Sequence, residues 1–363
     1  MTLARVSQSK TSEAFNLDVH GLRGVAAFLV FVGHTTAGLA LHIYEGNFAF
    51  VNLAKYIVNF GTYSVELFFI ISGYVISGSV TKYSIKVFFE RRFLRIYPLF
   101  AFFTLLFFVA NELYAIEPEK RSILNLLLSL TFTDLFTNRG GLSPNAWSVS
   151  YEMWYYAFCA AGFFVFTKAS ATLKVIFVIA AVAFLLMFPI SLYFISGILI
   201  YHIQSHHPGI AKKYYGLMQL LSLAIIAVLA SSHKTDYASA DVYRWQTCVL
   251  FLAASVFIFS ITGGKNPASR FLRLRAVSQL GTISYSLYLS HPYSYFVLRS
   301  VLVRLGVFSL PMPAALAISY CSMTALTIVV ATLVYAMIER GAYERYFKRR
   351  IYNVQSSSAP VGN

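Results

Sequence analysis

The sequence predicts an all-α fold: a polytopic transmembrane helix bundle of about ten spans, with both termini in the cytoplasm. Three observations lead there. Of the 363 residues, 58% are hydrophobic and only 12% are charged, roughly half the charged fraction of an ordinary globular chain. Apolar segments long enough to approach the ~20 residues of a span recur along the whole chain. Lys and Arg gather between alternate segments, the asymmetry that orients membrane proteins.

The candidate spans are Gly21–Tyr44, Gly61–Val80, Ile96–Tyr114, Trp147–Phe166, Leu173–Phe188, Ser191–Ile203, Tyr215–Ser231, Gln246–Thr262, Gly281–Val303 and Ala314–Ile338. Leu173–Phe188 and Ser191–Ile203 are short and meet at Pro189, so they form either a tight hairpin or one broken helix. Ser122–Phe136 is apolar but too short to span and is read as an interfacial or re-entrant helix. Met1–Val19 is polar and lacks the apolar core of a cleavable signal peptide. The chain divides into a cytoplasmic segment (1–20), a transmembrane domain (21–350) and a polar, Ser-rich, disordered cytoplasmic tail (351–363). With the N-terminus inside, about 21 of the 29 Lys and Arg fall on the cytoplasmic side.

Composition also excludes function classes. The net charge is +15, but the basic residues sit between apolar spans, which points to anionic lipid and away from nucleic acid. Cys159, Cys248 and Cys321 lie far apart in apolar stretches, with no metal-ligand spacing. His202, His206 and His207 crowd one span end and read as solvated loop histidines; no metal is expected.

Ionisable residues inside apolar segments are costly unless paired or wet, so each is a functional candidate. Arg23 and His34 share the first span, eleven residues apart. On an α-helix that is about 16 Å of rise and about 20° of net rotation, so they share a face. A cation at the mouth with an acid/base group deep along the same face suits a long ligand with an anionic end. Counting rise from the span ends puts His34, Glu66 and Glu152 at nearly one level. That level holds either a carboxylate-oriented imidazole or a structural polar network. Arg92 and Arg95, three apart, share a face at a cytoplasmic helix start. Their forked guanidinium groups suit phosphate, but on spacing alone ordinary positive-inside anchoring is the favoured reading. His291 sits near mid-span before Pro292, where a histidine serves either chemistry or a freed carbonyl.

Five motifs in order resemble those of the integral-membrane acyltransferase family 3. They are Leu17-Asp18-Val19-His20-Gly21-Leu22-Arg23-Gly24 followed by His34; Val65-Glu66-Leu67-Phe68-Phe69-Ile70-Ile71-Ser72-Gly73-Tyr74; Arg91-Arg92-Phe93-Leu94-Arg95-Ile96-Tyr97-Pro98; Trp147-Ser148-Val149-Ser150-Tyr151-Glu152 with Tyr155-Tyr156; and Ile283-Ser284-Tyr285-Ser286-Leu287-Tyr288-Leu289-Ser290-His291-Pro292. One departure is Glu339-Arg340-Gly341, where the family often has Glu-Arg-Pro. Some relatives add a C-terminal hydrolase-like domain of the SGNH type; this chain is expected to work with its membrane domain alone or with a separate partner.

The resemblance implies an acyl-CoA-dependent O-acyltransferase of the bacterial inner membrane. The donor would be acyl-CoA, most often acetyl-CoA, as a co-substrate and not a resident cofactor. The acceptor would be a cell-surface or exported saccharide or a glycolipid, with polysaccharide-assembly proteins as further partners. Carried over, His34 is the acid/base or transient acyl carrier, oriented by Glu66. Arg23, Arg92 and Arg95 meet the donor phosphates. Trp147, Ser148, Glu152 and His291 line the acceptor side or form a structural polar group. The alternative from the buried charges alone is a transporter or flippase of a lipid-linked saccharide.

Overall fold

The computed structural model describes residues 16–341 except Asn138, Ala238, Ser239 and Lys265, together with Glu344. The tail 351–363, most of segment 1–20, and Arg5, Lys10, Lys265, Arg345, Lys348, Arg349 and Arg350 therefore lie outside the described residues.

Those residues fold into helices with no strand among them: α1 Leu17–His42, α2 Phe48–Thr62, α3 Ser64–Val80, α4 Ile85–Tyr114, α5 Ile123–Leu130, α6 Ala146–Lys168, α7 Ala171–Met187, α8 Ser191–His206, α9 Tyr215–Ser232, α10 Trp245–Thr262, α11 Ser269–Leu272, α12 Arg275–Thr282, α13 Ser284–Arg304 and α14 Met312–Val334. A π-helical turn, Tyr335–Glu339, extends α14. The candidate spans fall mainly on helix, but Gly61–Val80 begins in α2 and crosses the break at Tyr63, and Gly281–Val303 begins in α12 and crosses the break at Ile283. By length and apolar composition, six helical stretches are able to cross a membrane: Leu17–His42, Phe48–Val80, Ile85–Tyr114, Lys212–Ser232, Trp245–Thr262 and Met312–Glu339. The helices α6 and α13 are long enough but carry the polar residues of the motifs, while α7 and α8 are 17 and 16 residues long. Pro189 separates α7 from α8 and ends the first of them.

One helix was not anticipated. The sequence reading has no element between Tyr44 and Gly61, yet α2 fills that gap and runs almost directly into α3. Asn52, Lys55 and Asn59 interrupt its apolar run, which hides the helix from a simple hydropathy count. The stretch Ser122–Phe136 forms the short helix α5 and a 3-10 turn at Asp134–Phe136. It folds back on the bundle: Phe132 stacks on Phe100 and its carbonyl accepts from Trp154 Nε1 at 2.9 Å.

The helix α1 is the hub, packed by α2, α3, α12 and α13. Asn16 caps it through the Asp18 and Val19 amides. Asp18, 1% exposed, ties α1 to the α11 segment: it accepts from Arg273 Nε at 2.6 Å and Nη2 at 2.9 Å, and from Ser269 Oγ at 2.8 Å. Without a hydrophobic effect between helices in lipid, close packing depends on small residues. In the α3–α8 contact, a Cβ on Gly197 would lie 2.0 Å from the Ile70 carbonyl oxygen, and one on Gly73 would lie 2.0 Å from that of Phe194. Gly197→Ala should therefore destabilise the protein by about 1–3 kcal/mol through overpacking. Gly46→Ala, with nothing within 4 Å of its Cβ position, should leave the melting temperature of the detergent-purified protein unchanged.

Candidate active site

Two polar centres lie along α1. The first surrounds Arg23. A cavity of about 780 Å³ opens between the N-terminal half of α1, the end of α3, the start of α4, and the π turn after α14. Arg23, Arg91, Arg92 and Arg95 line it, with Lys82, Glu339 and Arg340. Arg92 is fixed: its Nη2 donates to Ser79 Oγ at 2.7 Å, and its guanidinium lies 5.5 Å from the Tyr156 ring centroid. At the rim, Arg91 stacks over Tyr83 at 4.4 Å. A second, small pocket shares Arg23, Arg92 and Arg95 with it and is lined also by Ser72, Glu152, Tyr156 and Tyr285. The expected arginine trio is thus one cluster, built from α1 and α4.

The second centre surrounds His34. Its Nδ1 lies 2.7 Å from His291 Nε2 on α13. His34 is half-buried and His291 is 1% exposed. The ring of His291 stands edge-on to Phe31 at 6.4 Å and lies 6.0 Å from Tyr288. Pro292 removes a backbone donor from α13 and frees the Tyr288 carbonyl; Asn145 Nδ2 takes that carbonyl. The Tyr288 hydroxyl lies 2.7 Å from Ser148 Oγ. Ser148 is thus linked to the histidine pair through Tyr288.

Two expectations are corrected. Glu66 does not bond His34: its Oε1 accepts from Tyr237 at 3.1 Å, and its buried Oε2 has no hydrogen-bond partner among the described residues. The partner of His34 is His291. Glu152 is not level with His34 and Glu66. It accepts from Ser72 Oγ at 2.9 Å and from Tyr156, in the small pocket it shares with Arg23, Arg92 and Arg95. Ser72 is six residues beyond Glu66 on α3, about 9 Å of rise. The depth count assumed that α6 begins at the membrane edge. Instead α6 starts inside the protein, where Asn145 is 2% exposed and reaches the middle of α13. Glu152 consequently lies beside the cations. Trp147 is 39% exposed and packs on Tyr151, apart from the histidines.

Sequence reasoning assigned nothing to Glu339. The π turn carries it into the cavity, 5% exposed, where its Oε2 accepts from Ser286 Oγ at 2.7 Å. The rule applied to the other intramembrane carboxylates finds it too, because it ends an otherwise uncharged apolar segment. Among the described residues no group of three His, Cys, Asp or Glu is arranged to hold a metal ion.

The fold and the site define a helical membrane protein with an arginine-lined cavity and a histidine pair of one half-buried and one buried ring. The comparisons give the class: residues 16–336 match the acyltransferase domain of acyltransferase family 3, and the chain belongs to that family. An uncharacterized protein of Haemophilus influenzae is 28% identical over 215 residues, 54% of this chain and 85% of that protein. No solved structure matches the chain.

The Asn145 contact has a measurable consequence. Asn145→Ala should strand the Tyr288 carbonyl in a buried site and cost about 1–3 kcal/mol, read as a lower melting temperature than wild type.

Proposed function

We propose that this chain is an O-acyltransferase of the bacterial plasma membrane. It moves an acyl group, most simply acetyl, from cytoplasmic acyl-CoA to a hydroxyl of an exported or cell-surface saccharide or glycolipid. One observation carries the reading: the arginine cavity and the histidine pair lie on one face of α1, at Arg23 and His34, about 16 Å apart. A nucleotide thioester is charged at one end and reactive at the other, and this spacing suits it. The helices α1, α3, α4, α6 to α10, α13 and α14 act as the spans, with the arginine cavity and both termini facing the cytoplasm. That orientation keeps the cavity's basic residues on the positive side of the membrane.

Arg23, Arg92 and Arg95 hold the donor phosphates through charge-assisted hydrogen bonds. The thioester arm passes inward by Tyr156 and Tyr285 toward His34. His34 takes the proton of the acceptor hydroxyl as the oxygen attacks the thioester carbon; the C–S bond breaks, and the CoA thiolate leaves with the proton that His34 returns. The alternative order, in which His34 first accepts the acyl group and then passes it on, uses the same ring. Glu66, with one carboxylate oxygen unpartnered in the interior, is placed to receive a hydroxyl of the incoming acceptor. Tyr237, which bonds its other oxygen, lies in the segment after α9.

The test is acyl transfer by purified protein reconstituted in lipid, with radiolabelled acetyl-CoA and a cell-envelope glycan fraction. Label should reach glycan with wild type and not with His34→Ala, which should still bind donor. Arg92→Ala and Arg95→Ala should each raise the donor KM by about 10- to 100-fold, as expected for a lost hydrogen bond to a charged group. No transfer by well-folded wild type with several acyl-CoA donors would sink the reading and favour transport of a lipid-linked saccharide.

A further inference from the structure

The two histidine rings fix each other's protons. His291 Nδ1 lies 3.2 Å from the carbonyl oxygen of Leu287. A carbonyl only accepts, so His291 Nδ1 carries the hydrogen. In the neutral ring Nε2 is then bare, and it faces His34 Nδ1 at 2.7 Å. That contact is a hydrogen bond only if His34 Nδ1 carries the hydrogen and donates it. In a neutral His34 the lone pair is therefore on Nε2, which takes no hydrogen bond among the described residues. The reverse order would set the lone pair of His291 Nδ1 against that of the Leu287 oxygen.

We propose that His291 is a positioning residue that holds His34 in its Nδ1–H tautomer, with the Leu287 carbonyl closing the chain where other enzymes use a carboxylate. The proposal deepens the acyltransferase reading, and its catalytic consequence rests on that reading. When His34 Nε2 takes the hydroxyl proton, the ring becomes an imidazolium that still donates from Nδ1 to His291. His291 gains and loses no proton, and the proton on Nε2 leaves with the thiolate. The surroundings are built to keep His291 still. Phe31 and Tyr288 flank its ring, Asn145 holds the carbonyl freed by Pro292, and Ser148 holds the Tyr288 hydroxyl. Glu66 does not compete for the role, because its carboxylate is turned to Tyr237.

The experiment compares His291→Gln with His291→Leu in the reconstituted enzyme. The carboxamide oxygen of Gln stands near the position of Nε2 and accepts from His34 Nδ1. His291→Gln should keep kcat within about tenfold of wild type, whereas His291→Leu should lose roughly 10³-fold or more, the scale of a catalytic histidine left in the wrong tautomer. The donor KM should not move in either. A Leu variant within tenfold of wild type, or a Gln variant as inactive as Leu while both bind donor normally, would overturn the proposal. A second readout needs no turnover. In ¹⁵N-histidine-labelled protein, the His34 signals are those lost in His34→Ala. They should report the Nδ1–H tautomer in wild type and in His291→Gln, and lose that fixed state in His291→Leu. A His34 found as the Nε2–H tautomer in wild type would also overturn it. Wild type with the expected tautomer and no transfer would count against the acyltransferase reading and leave the pairing intact.

Discussion

The contact between α1 and α13 is the constraint on which the rest depends. It brings one imidazole from each helix to 2.7 Å inside the protein. Buried polar groups are tolerable only when each finds a partner. The pair meets that requirement through neighbours: Leu287 for His291, Asn145 for the Tyr288 carbonyl, and Ser148 for the Tyr288 hydroxyl. Helix α6 must therefore begin deep in the bundle, because Asn145 and Ser148 have to reach α13. Close approach of the two helices is also needed further out, where Tyr295 lies against Gly38; a Cβ there would meet the ring at 2.2 Å.

The arginine cavity poses the opposite problem, an excess of one charge. Arg23 feels the like charges of Arg92 and Arg95 and the opposite charge of Glu152. Glu339 acts on Arg95 and Arg23 from the other wall. The two carboxylates come from α6 and from the π turn after α14, elements far apart in sequence. Cations that repel one another gain from an added anion. The cavity keeps net positive charge after Glu152 and Glu339 are counted, which suits the donor phosphates of the proposed reaction.

Much of this was legible in the sequence, for physical reasons that also mark where legibility stops. The period and length of apolar runs locate helices because lipid requires every backbone group to be bonded within its own segment. They miss α2, whose Asn and Lys residues dilute the run. Rise and rotation along a single helix are exact arithmetic, so placing Arg23 and His34 on one face needs no tertiary knowledge. Comparing depth between helices needs to know where each one starts. That failed for Glu152, because a folded-back segment puts the start of α6 in the interior. The choice of partner for His34 is likewise tertiary. A carboxylate and a second histidine were both available at mid-span, and side-chain direction decided between them.

The division of acids and bases between the two centres follows from the same arrangement. A carboxylate bonded to His34 would stabilise its charged form and hold the proton it takes from a hydroxyl. A histidine ending on a backbone carbonyl orients the ring while adding no negative charge. The ring then returns its proton to a departing thiolate more readily. None of the three nearby carboxylates bonds His34: Glu152 and Glu339 lie beside the arginines, and Glu66 uses one oxygen on Tyr237 and keeps the other for the proposed acceptor. The cationic end of the path thus keeps its counter-charges away from the histidine end. In the proposed reaction, anion binding and proton transfer, which make conflicting electrostatic demands, are separated along α1 by about three turns of helix.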